Sequence, residues 1–188
     1  MANTDIYELI ECMTSLIRSE ERKRCTELGL QPVHFQVLNY LSRANKYSNT
    51  PAAVANYLGM TRGTVSQSLI ILEKKGFIAK TPDTQDKRVI HLHLLAEGQA
   101  ILKQARPSDL FNSATSILHS TPSSAQTDAN AFQQALTALQ KANDSQSFGV
   151  CKTCRNFSQK DGEHFCLLTQ EKLSDADSEQ ICQEHNPV

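Results

Sequence analysis

The chain has 188 residues, enough for one fair-sized core or two small domains, and 39% apolar residues, ordinary for a water-soluble protein. No run of 18 or more apolar residues occurs, which excludes a membrane-spanning helix. The net charge of −1 hides an asymmetry. Residues 60–106 carry eight Lys/Arg against four acids, and residues 144–188 carry four against eight. A basic middle beside an acidic tail suits one part that meets phosphate and another that does not. Met1–Asp5 lacks a basic start followed by an apolar stretch, so no secretory signal is expected. The six cysteines are then expected reduced or metal-bound in the cytoplasm rather than as a disulfide framework.

In chain order, residues 5–27 show a helical stripe of Ile6, Leu9, Ile10, Met13, Leu16 and Ile17, with Thr4 or Asp5 as cap. Pro32 opens a second helix with Val33, Val37, Leu38 and Leu41 inward. Residues 46–50 read as a loop, Pro51 to Leu58 as a short helix closed by Gly59, and Thr61 as the cap of a helix over 62–75. That helix turns Val65, Leu69 and Leu72 to the core and ends at Gly76. The period then drops to two: strands at 77–81 and 89–94 flank a polar hairpin loop. A helix from Ala96 to Arg106, a helical piece around 110–118, a break at 120–124 and a helix over 125–142 follow. Residues 143–147 read as a linker.

Two short helices joined through Gly59-Met60-Thr61, then two strands around a basic loop, make a winged helix-turn-helix. The second helix is about 21 Å long and fits a major groove. Its first turns offer Thr61, Arg62, Thr64, Ser66, Gln67 and Ser68 to DNA, while the hairpin brings Lys87 and Arg88 to the backbone or minor groove. Gln67 has the two-pronged amide that reads adenine.

Four cysteines follow in the last 38 residues: Cys151 and Cys154 as a C-x2-C pair, then Cys166 and Cys182 alone. Four thiolates complete a tetrahedral zinc site or hold an iron–sulfur cluster. The pattern favours a 4Fe–4S cluster, with one zinc per chain as the alternative. His164 and His185 lie beside Cys166 and Cys182 and could replace either as ligand or form an outer shell. The segment's few apolar residues, among them Phe148, Phe157, Phe165 and Ile181, make metal binding much of its expected folding energy. Cys12 and Cys25 read as buried small residues or passengers.

The stretches Thr61-Arg62-Gly63-Thr64-Val65-Ser66 and Leu72-Glu73-Lys74-Lys75-Gly76-Phe77-Ile78, with the wing signature Asp83-x-x-Asp86-Lys87-Arg88, resemble the MarR-type transcriptional regulators. The resemblance covers about 75 residues closely and about 140 loosely. It implies a homodimer with intertwined terminal helices that represses by binding a pseudo-palindromic operator, with Arg88 in the minor groove and Asp86 as its structural partner. Gln67 departs from the basic residue common in that family, and Ala96 from a helix-capping Thr.

The expectation is therefore a mainly α fold. A dimerisation helix (1–29) precedes a winged helix-turn-helix (30–106), further dimerisation helices (107–143) and a cysteine-rich metal-stabilised module (144–188). The expected function is a non-enzymatic, cytoplasmic DNA-binding regulator whose cysteine centre senses redox state, oxygen or iron. A regulator with purely structural zinc, or a protein-interaction scaffold, is the competing reading.

Overall fold

The computed structural model describes residues 6–106, 132, 134, 136, 148–160 and 162–186. Helix α1 (Ile6–Glu27) leads through Gly29 to α2 (Pro32–Leu41), α3 (Pro51–Leu58) and α4 (Arg62–Lys74). Strands β1 (Ile78–Pro82) and β2 (Ile90–Leu94) form an antiparallel hairpin, and α5 (Ala96–Ala105) packs back against α1 and α2. Local chemistry sets these boundaries. Pro51 starts α3, and the Thr50 hydroxyl accepts from Ala53 N at 3.2 Å to satisfy an otherwise orphaned amide. Gly59 ends it at φ 63°, a left-handed setting that glycine adopts without strain. Thr61 caps α4 in the same way through Thr64 N.

The core collects one face from each helix. Val37, Leu38 and Tyr40 of α2, Ala53 and Val54 of α3, and Val65, Leu69 and Leu72 of α4 are all buried, with Ile78 and Leu92 from the hairpin. Helix α1 seals Cys25 in its C-terminal part, while Tyr7, Met13 and Leu16 remain exposed.

Residues 148–186 form a second small assembly. Strands β3 (Gly149–Val150) and β7 (Ile181–Cys182) pair antiparallel, and β4 (Phe157–Lys160), β5 (Glu163–Cys166) and β6 (Glu171–Leu173) form a meander. A single helical turn at Cys151–Thr153 and a short helix α6 (Asp175–Ser178) complete it. Its scant apolar material is turned partly outward, onto the winged helix. Phe148 meets Tyr57 edge-on at 5.1 Å and Tyr40 at 6.3 Å, and Ile181 bridges to Ala44. The expectations for 110–118, 120–124, 143–147 and the capping residues Thr4 and Asp5 lie outside the described residues, as does most of 107–143. Within that span Phe132, Gln134 and Leu136 are helical.

Candidate nucleic-acid interface and cysteine site

The first turns of α4 present Thr61, Arg62, Thr64, Ser66 and Gln67 to solvent, while Val65 and Leu69 face the core. Ser68 does not belong with the exposed set. It is 5% exposed and its hydroxyl donates to Thr64 O at 3.0 Å, so the sequence expectation for it is corrected. It stands three residues after Val65, on the buried stripe of the helix. Thr61 and Thr64 share a hydroxyl contact of 3.0 Å.

The wing is built from two aspartates. Asp83 Oδ1 accepts the amides of Gln85 and Asp86 at 2.8 Å each, which holds its carboxyl below the ordinary carboxylate value and shapes the turn. Asp86 grips Arg88: Nε donates to Oδ1 at 2.9 Å and Nη2 to Oδ2 at 2.8 Å. That two-pronged pair lowers the Asp86 carboxyl and fixes the direction of a guanidinium whose side chain is 90% exposed. A charge held out at a hairpin tip with one orientation suits phosphate or a narrow groove. Lys87 beside it is exposed.

The sequence reading missed what anchors the wing below. His91 on β2 meets Asn49 Oδ1 through Nδ1 at 2.6 Å and Asp83 Oδ2 through Nε2 at 3.1 Å. Leu92 N donates to Asn49 O at 2.7 Å. The hairpin is thereby tied to the segment that leads into α3. Arg62 and Ser66 of α4, Arg88 and His91 of the wing, and Thr50 at the start of α3 line one groove of about 800 Å³. Lys46 and Gln183 lie on its border as well, so the cysteine assembly reaches the rim of this groove.

All four C-terminal cysteines line one small cavity of about 30 Å³, together with Tyr47, Phe157 and Leu173. Among the described residues, no group of three or more His, Cys, Asp or Glu side chains is placed so that it could hold a metal ion. No disulfide joins any of the six cysteines. The C-x2-C pair folds as a knuckle in which Cys154 N donates to Cys151 O and Phe157 N to Cys154 O, at 2.9 Å each. N–H groups point at sulfur: Asn186 N reaches Cys154 Sγ at 3.3 Å, and Asn45 Nδ2 reaches Cys151 Sγ at 3.4 Å. Cys151 and Cys182 share a hydrogen bond. The Cys151 thiol directed at it holds Cys182 at about 6, well below a free thiol, with help from the Glu184 amide, Asn45 and Ser48 against burial. The same contact, with burial, pushes Cys151 up.

The two histidines stand elsewhere. His185 Nε2 contacts Thr153 Oγ1 at 2.9 Å and its ring lies on Gly149, where a Cβ would come within 2.6 Å of it. His164 stacks near Phe157 at 5.2 Å between rings, with Nδ1 3.5 Å from Asp175 Oδ1. Neither lines the cysteine cavity. Cys25 is sealed in the core and Cys12 is exposed on α1, away from both sites.

The model of the MarR family matches residues 28–89. The chain is 33% identical over 79 residues to the transcriptional repressor YetL of Bacillus subtilis, which is 42% of this chain and 47% of that protein. It is 26% identical over 95 residues to the transcriptional repressor MprA of Escherichia coli K12, covering 50% and 54% of the two chains. The chain thus spans about half the length of these curated relatives. Among solved structures it resembles a MepR mutant from a Staphylococcus aureus clinical isolate, with TM-score 0.61 and 20% identity over 76% of this chain and 99% of the other. CouR of Rhodococcus jostii bound to p-coumaroyl-CoA aligns with TM-score 0.56 and 19% identity over 72% and 92%. The S. aureus MepR–DNA complex aligns with TM-score 0.54 and 20% identity over 74% and 99%. At this identity the structural likeness shows the fold: a mainly helical, MarR-type winged helix with a small β hairpin.

Proposed function

We propose that this chain, built around a MarR-type winged helix, is a DNA-binding transcriptional regulator that acts as a repressor and takes its signal from a thiolate-bound metal centre. One observation carries the DNA-binding half: the exposed polar start of α4 and the Asp86-held Arg88 border the same groove. Arg62, Thr64, Ser66 and Gln67 read base edges or phosphate, and Lys87 and Arg88 contact the backbone or minor groove. The partner is double-stranded DNA with a pseudo-palindromic operator, bound by a homodimer. The exposed Tyr7, Met13 and Leu16 on α1 give that dimer apolar surface to cover. No described helix is long and apolar enough to cross a membrane, and the reading places the protein in the cytoplasm without enzymatic activity.

The convergence of Cys151, Cys154, Cys166 and Cys182 on one cavity supports the metal half. The Asn186 N–H aimed at the Cys154 sulfur is a partner of the kind that supports a metal–thiolate site. A 4Fe–4S cluster that senses redox state, oxygen or iron is the first assignment; one zinc per chain is its competitor, and His164 and His185 are outer residues in either case. The test is protein purified without oxygen, assayed for iron, sulfide and zinc, and titrated with duplex DNA across salt. Matched iron and sulfide together with salt-dependent binding bear the reading out. One zinc and no iron leaves a regulator with a structural metal. Absence of DNA binding at low salt overturns the regulator and leaves a protein-interaction scaffold.

A further inference from the structure

The geometry points to the segment between α2 and α3 as the relay between the cysteine site and the DNA-binding surface, with Asn45 as the positioning residue that reports the state of the cysteines. We propose that loading the site with metal tightens DNA binding through this segment; the inference rests on reading the four cysteines as a metal site. Two sets of contacts hold consecutive parts of one short segment, residues 43–48 on the module and residues 49 and 50 on the reading elements.

On the module side, Ile181 N donates to Arg43 O at 2.7 Å and Asn45 N to Ile181 O at 3.0 Å, a sheet-like clasp. Asn45 Nδ2 reaches the sulfur of Cys151, 106 positions along the chain. Gln183 N donates to Ser48 Oγ at 2.9 Å. Asn45 and Ser48 are both 0% exposed, so two polar side chains of the winged helix are sealed inside the joint. Lys46 and Tyr47 both bond Glu171.

On the DNA side, the next residues hold the reading elements. Asn49 ties β2 through Leu92 N and His91. The Thr50 side chain caps α3. From Asn45 to Thr50 there is no slack residue: each position is bonded either to the cysteine assembly or to the wing and α3.

This arrangement couples the two sites for a physical reason. A buried polar group whose partner leaves must find another or reach water. Thiolates gathered around a metal hold the 148–186 assembly together, and loss of the metal loosens it. Asn45 and Ser48 then lose their partners, and the shift they make to regain them moves Asn49 and Thr50 with them. The wing and α3 lose the setting in which Arg88 and α4 face one groove. Coupling between two such sites ordinarily amounts to about 5- to 150-fold in affinity.

The experiment uses the full chain purified without oxygen. Anisotropy on a duplex selected from a random pool by the loaded protein is compared before and after chelation and after reconstitution with Zn2+, or with iron and sulfide. Hydrogen exchange is followed in parallel. The wild type is expected to bind at least about fivefold more weakly when stripped, with faster exchange across 43–50 and 89–92. Asn45→Ala is expected to keep its metal stoichiometry and metal-dependent absorption, yet to bind DNA as the stripped wild type does, whether loaded or not. An Asn45→Ala protein that still gains affinity on loading, to the wild-type extent, overturns the relay. Equal affinity of loaded and stripped wild type also overturns it while leaving a structural metal site. A wild-type chain that takes up neither metal form removes the reading beneath it. If Asn45→Ala does not fold, wild-type exchange decides: unchanged protection of 43–50 on stripping overturns the proposal.

Discussion

The winged helix and the cysteine assembly are built by opposite means. In the winged helix the turns and caps are set by neighbours two or three residues away: Thr50 on Ala53, Thr61 on Thr64, Asp83 on Gln85 and Asp86. In the cysteine assembly the decisive partners lie more than a hundred positions away, as in Asn45 with Cys151 and Ser48 with Gln183. Local chemistry makes a surface that is ready before any partner arrives. Long-range chemistry makes a joint whose two sides depend on each other, and that is where a signal can enter.

The sharpest way to break the comparison is Cys154→Ser. It should abolish the proposed metal centre and the protection of residues 148–186, while the winged helix still melts cooperatively. Full metal stoichiometry in that variant would remove Cys154 from the ligand set. Next in size, Arg88→Ala should weaken binding to every duplex by roughly tenfold and flatten the salt dependence by about one phosphate contact. Binding equal to wild type at several salt concentrations would show that the wing does not meet DNA. Gln67→Ala should act differently, relaxing discrimination at one base pair by about 1–3 kcal/mol, read by competition between duplexes differing at single positions.

Smaller effects test the local half. Thr61→Ala removes a cap and should cost about 1 kcal/mol, a fall in Tm of about 2–4 °C by calorimetry. A variant as stable as wild type would show that Thr64 finds another partner. The smallest effect is that of acid on the wing. The native Asp83 carboxyl lies below its ordinary value because the amides of Asp86 and Gln85 stabilise the charged form. Its contribution is therefore fully present above the unfolded carboxyl value of about 3.9 and is lost as pH falls through the lower native one. Asp83→Asn should flatten stability against pH in that acid window only, and a change confined to neutral pH would refute the assignment.

Residue by residue, the division between what was legible and what was not follows the range of the interactions. The elements from α2 to β2 fall where period, proline and glycine put them, because helices and hairpins are decided within a few residues. Ser68 was misplaced because its polarity was weighed above its position on the Val65–Leu69–Leu72 stripe, a signal the sequence did contain. Asn49 and His91 carried no such signal. Neither residue has a motif, and only the approach of β2 to the start of α3 joins them. The same holds for Phe148 and Ile181, which read only as scant apolar material of the module and which the fold sets against Tyr57 and Ala44 of the winged helix.

The family resemblance supplied the Asp86–Arg88 pairing; by itself the sequence determined the winged helix, its caps and the presence of four cysteines in one short stretch. Spacing and side-chain chemistry suffice for these because each is an interaction between near neighbours. Only the tertiary structure decided that the four cysteines share one cavity, that both histidines stand outside it, and that Asn45 and Ser48 of the winged helix are sealed against it. Those facts depend on which surfaces pack together. Packing is fixed by the whole chain burying its apolar faces at once, and no local window contains it.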